Sequence, residues 1–200
     1  MTSIGIIGAG MIGRAFATAL ARHNIGATLS NSRGPESLAD TVAAIGPAIA
    51  AGTREEAAAK DIVLVSVHWN DLPKALAGLP DFAGRIVINA NNPIELPSFN
   101  AVDLGGRHSS EVFADLVPGA RVVKALNHLP AALIEADPAA EGGKRVLFYS
   151  GDDAEAKEVV GKLLGQLGFF AVDLGSPVGG GDLARGPDGP LTLHNFVKFG

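Results

Sequence analysis

A glycine turn near the start of the chain constrains the fold more than any other stretch. Ile4, Ile6 and Ile7 form a short apolar run of the kind that makes a buried parallel strand, and Gly8-Ala9-Gly10-Met11-Ile12-Gly13 follows at once as a G-x-G-x-x-G. Gly8 permits the tight strand-to-helix turn, Gly10 lets a pyrophosphate approach the backbone, and Gly13 lets the helix pack on the strand. Ile12, Phe16, Ala19 and Leu20 then recur at helical spacing on one face. The amides and dipole at that helix's head suit a phosphate. A second strand, Ala27 to Ser30, completes a βαβ unit, the context in which such a glycine turn signals dinucleotide binding.

The end of the second strand selects the dinucleotide. NAD sites carry an acid there for the ribose 2′-hydroxyl. This chain has Asn31-Ser32-Arg33-Gly34, with the first acid only at Glu36. Arg33 can pair bidentately with a 2′-phosphate, Asn31 and Ser32 add neutral donors, and NADP(H) is favoured over NAD(H).

The rest of the chain alternates helix and strand patterns. Pro35 to Ile45 predicts a helix, Ala48 to Ala51 a short strand, and Thr53-x-x-Glu56 a capping box that opens a helix ending near Lys60. Asp61 to Val67 is a continuous apolar strand, Asn70 is placed to cap a helix to about Leu79, and Arg85 to Asn89 is another buried strand broken by Asn91-Asn92-Pro93. After an irregular stretch, Ser110 starts a helix to Leu116, Arg121 to Ala125 forms a strand and Pro130 to Glu135 a short helix. Val146 to Ser150 is a strand, Asp152 and Asp153 cap the helix carrying Val160, Leu163, Leu164 and Leu167, and Phe169 to Asp173 is the last strand.

This alternation predicts an α/β fold: a doubly wound, mostly parallel Rossmann-type sheet with helices on both faces. Residues 1–175 form the NADP-binding domain, and the Gly/Pro-rich extension 176–200 is an irregular C-terminal tail, its Gly179-Gly180-Gly181 run flexible. Right-handed crossovers place every strand's carboxyl end on one edge, where the ligand lies. The cofactor candidates are therefore Gly8 to Gly13, Asn31, Ser32, Arg33, Ser66, Val67, His68, Trp69, Ala90 and Asn91. His68, Asn127 and His128 are the candidates for a role near the reacting ring, with no choice among them. Lys124, charged within a strand, should reach a partner or solvent.

Composition narrows the class. A net charge of −5 argues against nucleic acid or an anionic membrane as partner, and the absence of cysteine excludes disulfides and thiolate chemistry. The start lacks a signal-peptide pattern and no apolar run reaches membrane-spanning length, so a cytoplasmic protein is expected. Histidines and acids are scattered, predicting no metal site and no paired-carboxylate chemistry.

The glycine turn GAGMIG, the Ser-Arg of NSRGPESL, His68-Trp69, VVKALNHLP, SGDDAEAK and LGFFAVDLG occur in the order found in the NADPH-dependent deazaflavin (coenzyme F-420) reductases and related dinucleotide-binding enzymes, and the chain resembles that family over about residues 3 to 175. The resemblance implies hydride transfer between NADPH and a flat redox ring, a deazaflavin or flavin, or another small acceptor. It places Ala9 to Ile12 at the pyrophosphate, Ser32 and Arg33 at the 2′-phosphate, Trp69 on the nicotinamide side, and Asn127 where family members can carry a histidine. It also implies a homodimer that uses the apolar C-terminal segment, Leu191 to Phe199. The tail departs from the family, which ends in an apolar helical stretch. Two alternatives are a small carbonyl or imine reductase of the hydroxyacid-dehydrogenase or pyrroline-carboxylate-reductase type, and a non-enzymatic NADP(H)-binding redox sensor.

Overall fold

A computed structural model describes residues 2–139 and 142–200. Among the described residues nine strands are formed: β1 Ile4–Ile7, β2 Ala27–Ser30, β3 Ile49–Ala51, β4 Ile62–Val65, β5 Ile86–Asn89, β6 Arg121–Ala125, β7 Lys144–Gly151, β8 Phe170–Asp173 and β9 Val197–Lys198. The helices are α1 Met11–Arg22, α2 Ala39–Ile45, α3 Arg54–Ala58, α4 Leu72–Leu76, α5 Ser109–Asp115, α6 Ala131–Glu135 and α7 Ala154–Gln166. The strands lie in the order β3-β2-β1-β4-β5-β6-β7-β8, the Rossmann-type arrangement expected from the alternation.

Period-two alternation sorts the central strands between two cores. Leu64, Ile88 and Val123 face one side with α1, α6 and α7, while Val63, Val65 and Val87 face the other with α3, α4 and α5. A sheet covered on both faces explains why these strands read as unbroken apolar runs.

One expectation about direction is corrected. β1 to β6 are parallel, but β7 runs antiparallel to β6 through the Val123–Gly151 and Ala125–Tyr149 pairs, and β8 follows β7 in parallel. Two strands therefore bring their amino ends to the carboxyl edge. Among the described residues the link from β6 to β7 holds only the single-turn α6, which lies against α1 and makes no crossover of the sheet. An antiparallel return needs none.

Local differences have local causes. Pro35–Leu38 is a 3₁₀ turn before α2, and Trp69–Asp71 is another before α4, so Asn70 lies inside a turn and caps nothing. The Thr53–Glu56 capping box forms as expected. α5 starts at Ser109, one residue early, because His108 acts as the cap: Nδ1 accepts from Ser110 N at 3.2 Å, and His108 N donates to Glu111 Oε2 at 3.1 Å. The 179–181 run is folded, where flexible chain was expected. It leads into a 3₁₀ turn at Gly181–Ala184, and a Cβ on Gly180 would lie 1.7 Å from the Leu174 carbonyl oxygen. The tail closes with β9 paired antiparallel to β7. No helix among the described residues is long and apolar enough to cross a membrane.

Candidate functional site

The site is built on the carboxyl edge of β1 to β6, starting at the glycine turn. Gly8 has φ +110°, and a Cβ there would fall 2.0 Å from the Ser66 carbonyl oxygen, so β1 and β4 can approach only around a glycine. A Cβ on Gly13 would fall 1.9 Å from the Gly8 oxygen, which fixes how closely α1 starts beneath the turn. Gly10 differs: a Cβ there meets no protein atom within 4 Å. Its backbone fronts open cleft at the head of α1, where no side chain caps the helix amides. That cradle fits a diphosphate seated on backbone N–H groups.

The cleft has a volume of about 1000 Å³ and follows the edge from β2 to β5. Gly8, Ala9, Gly10, Met11 and Ile12 line it, with Asn31, Ser32 and Arg33 at one end and Ser66, Val67, His68, Trp69, Ala90 and Asn91 along the other part. Gly13 lies behind the wall, packed against Gly8 and Ile6. Trp69 fills the second core and shows only an edge to the cleft, at 7% exposure, whereas His68 is exposed.

An Asx turn shapes the Arg33 end. Asn31 Oδ1 accepts from Arg33 N at 2.9 Å, Asn31 Nδ2 donates to Ser37 Oγ at 2.8 Å, and Ser37 Oγ donates to Gly34 O at 2.7 Å. The guanidinium of Arg33 makes no salt bridge among the described residues. Two further cations line this side unforeseen, Arg54 and Lys74. Arg54 donates through Nη1 to the carbonyls of Ala75 at 2.9 Å and Lys74 at 3.1 Å, closing the end of α4. Nothing in the sequence near Arg54 pairs it with residues twenty positions on.

At the opposite end four asparagines stitch the strand ends together. Asn89 Oδ1 accepts from both N and Nδ2 of Asn91 at 3.0 Å. Asn91 also accepts from Val67 N and donates to Val65 O, each at 3.0 Å, tying the β5 loop to the loop after β4. Asn92 Nδ2 donates to Asn127 O at 2.7 Å, and Asn127 Nδ2 donates to Asn92 Oδ1 at 3.2 Å and to Ala184 O at 2.8 Å. Gly186 N adds a bond to Asn92 Oδ1 at 3.1 Å, so the tail is sewn to the edge. The sequence shows this lattice only as a strand-breaking Asn-Asn-Pro, because, apart from the Asn89–Asn91 pair, its partners lie 24 to 94 residues away.

Of the three ring-side candidates, only His68 lines the cleft. Asn127 reaches it at second hand through Asn92. His128 does not reach it: the chain turns at Leu126, φ +63°, and buries the imidazole completely, 5.0 Å from the Phe148 ring. Neither ring nitrogen makes a hydrogen bond among the described residues. Burial holds its pKa down to about 4; the Val146 backbone lies close enough to oppose in part, though not at hydrogen-bonding geometry.

Lys124 reaches a partner, as expected, and not solvent. It is buried, and Nζ donates to Asn91 O at 2.7 Å. Burial brings its pKa down to about 7, the Arg185 charge lowers it further and Asp182 opposes. The folded pKa is below the ordinary lysine value, so the unfolded chain binds the extra proton between about pH 7 and 10.5. Stability from this group is full above that window and is lost as pH falls through 7. Denaturation midpoints at pH 6 to 9 should therefore rise with pH more steeply for the native chain than for Lys124→Met. Equal slopes would place the amine in contact with water.

The comparisons agree with this geometry. Residues 3–93 match the family described as NADP oxidoreductase, coenzyme F420-dependent. A hypothetical protein from Sinorhizobium meliloti is 41% identical, with a TM-score of 0.94 over 99% of this chain and 96% of that one. A structure described as an F420-dependent NADP-reductase from Arthrobacter sp. FB24 is 26% identical, with a TM-score of 0.69 over 88% of this chain and 86% of that one. Metalloreductase STEAP3 of Rattus norvegicus is 30% identical over 175 residues, 86% of this chain, and the chain spans only 34% of that protein's length. By the family match on its glycine turn and first strands, and by the sheet that carries them, the chain is similar to the coenzyme F420-dependent NADP oxidoreductases.

Proposed function

We propose that the chain is an NADP(H)-dependent oxidoreductase that passes a hydride between NADPH and a flat redox ring of the flavin or deazaflavin type. The observation that carries this is the polarity of the cleft, from a cationic pocket after β2 to an apolar wall after β5. Arg33 and Ser32 would hold the 2′-phosphate, the Ala9 to Ile12 backbone the diphosphate, and Ser66 to Trp69 with Ala90 and Asn91 the nicotinamide half. Bound there, NADPH supplies a hydride that passes directly to the acceptor ring, with the balancing proton taken from water.

The residues contribute position. The asparagine lattice fixes the two loops that border the nicotinamide, and hydride transfer needs the ring carbons about 3–3.5 Å apart. The residues after β5 that line the cleft, Ala90, Asn91, Asn92, Ile94, Leu96 and Phe99, include no ionisable group. A carbonyl or imine reduced against that wall would leave a localised charge calling for a positioned acid. A conjugated ring spreads the charge and needs no acid beyond His68, the one ring-side candidate that lines the cleft, which favours the flat acceptor.

The test is loss of reduced-nicotinamide absorbance with NADPH or NADH, offered riboflavin, FMN, 5-deazariboflavin and simple carbonyls in turn. Oxidation of NADPH by the rings is expected. Turnover of carbonyls alone would point to the carbonyl reductase reading, and tight NADPH binding without turnover to a sensor.

A further inference from the structure

The loop between β5 and α5 carries two large apolar side chains that the fold itself does not need. Leu96 is 50% exposed and Phe99 is 66% exposed, and both line the cleft. Of the other exposed apolar residues, Met11 lines the cleft at the glycine turn, whereas Val178, Leu193 and Phe199 do not line it. Isolated exposed apolar side chains are ordinary. Two that converge on one wall of a ligand cleft are not accounted for by that.

The loop holding them is closed by backbone bonds. Val102 N donates to Pro93 O at 2.9 Å, Glu95 N to Asn100 O at 2.9 Å and Phe99 N to Glu95 O at 2.8 Å, with a bridge between Ile94 and Ala101. Its base is fixed through Asn92 to Asn127 and to Gly186 of the tail. At its tip Phe99 has φ +59°, a left-handed conformation that costs a bulky residue energy and that glycine or asparagine would adopt more readily. An aromatic side chain kept in a strained backbone, exposed and facing a cleft, points to a ligand it must meet.

The strand order says which ligand. The sheet runs β2-β1-β4-β5, so the Arg33 pocket after β2 and the loop after β5 stand at opposite ends of the cleft. A dinucleotide anchored at Arg33 and Gly10 brings its nicotinamide toward Ala90 and Asn91, and Leu96 and Phe99 lie beyond. Resting on the proposed hydride transfer, we infer that Phe99, backed by Leu96 and Ile94, is the plate on which the acceptor ring stacks, sandwiching it against the nicotinamide. The ligand is a planar isoalloxazine-type ring. Its ribityl chain and phosphate lie outside the plate, so riboflavin, FMN and 5-deazariboflavin should bind alike, whereas a small aliphatic carbonyl has too little face to gain from it.

The readout is quenching of riboflavin fluorescence by the protein saturated with NADP⁺, alongside NADPH affinity and thermal stability. Phe99→Ala with Leu96→Ala should weaken riboflavin binding about ten- to a hundredfold, the range for one lost stacking partner, and change NADPH binding less than about twofold. Phe99→Trp should keep the ring. Phe99→Gly should lose it while melting no lower than the native chain, since glycine adopts the left-handed backbone without strain. Unchanged riboflavin affinity in the double variant overturns the plate and leaves the flat-ring acceptor standing. Failure of the native protein to bind any of the rings, with carbonyl turnover in their place, overturns both.

Discussion

A Gly8→Ala variant is expected to lose about 2–6 kcal/mol of folding stability, roughly 1–3 from overpacking and 1–3 from a forced positive φ. Its added methyl would sit 2.0 Å from the Ser66 oxygen at φ +110°, so β1 and β4 must part or the turn must open. Either movement also disturbs the loop from Ser66 to Trp69, so NADPH binding should fall with the stability. Gly10→Ala provides the contrast. Its Cβ meets no protein atom within 4 Å, so urea unfolding should match the native chain while NADPH and NADH affinities both drop. The pair separates a glycine required by the protein's own packing from one required by the ligand. Equal unfolding midpoints for both variants would remove that distinction.

Arg33→Ala is the second large effect. It should weaken NADPH by about 1.5–3 kcal/mol, the range for hydrogen bonds to charged groups, and leave NADH nearly unchanged. The Asx turn supports a clean comparison, because Asn31 holds the loop through the Arg33 backbone and not through its side chain. Titration of both nucleotides into both proteins gives the double difference directly. Equal losses for NADPH and NADH would mean that Arg33 meets the shared adenosine and does not read the phosphate; Lys74, on the same side of the cleft, would then be the next residue to replace.

The opening β1-α1-β2 unit was legible because its signals are local. Spacing alone places the glycines, the helix face and the neutral end of β2. The reversal of β7 was not, since VLFYS reads the same in either direction and the deciding fact is that α6 packs on α1. His128 and Asn127 illustrate the same limit at the site. Adjacent in sequence, they part at Leu126, whose positive φ turns one into the core and the other toward Asn92. Lys124 was singled out for its oddity in a strand, but only the fold supplies Asn91 as its partner. The loop from Ile94 to Ala101 carried least signal of all. It reads as irregular chain, and its aromatic becomes informative only when its exposure and backbone are known.

The stitched amides at the ring end have an energetic consequence. Side-chain amides carry no net charge and do not titrate, so above the pH at which Lys124 sheds its proton that floor imposes no formal charge on a ring lying over it. On the proposed placement of the rings, such a floor acts on the acceptor through hydrogen-bond dipoles and not through a counter-charge, so exchanging one acceptor for another should shift the equilibrium by the difference in their potentials as bound there.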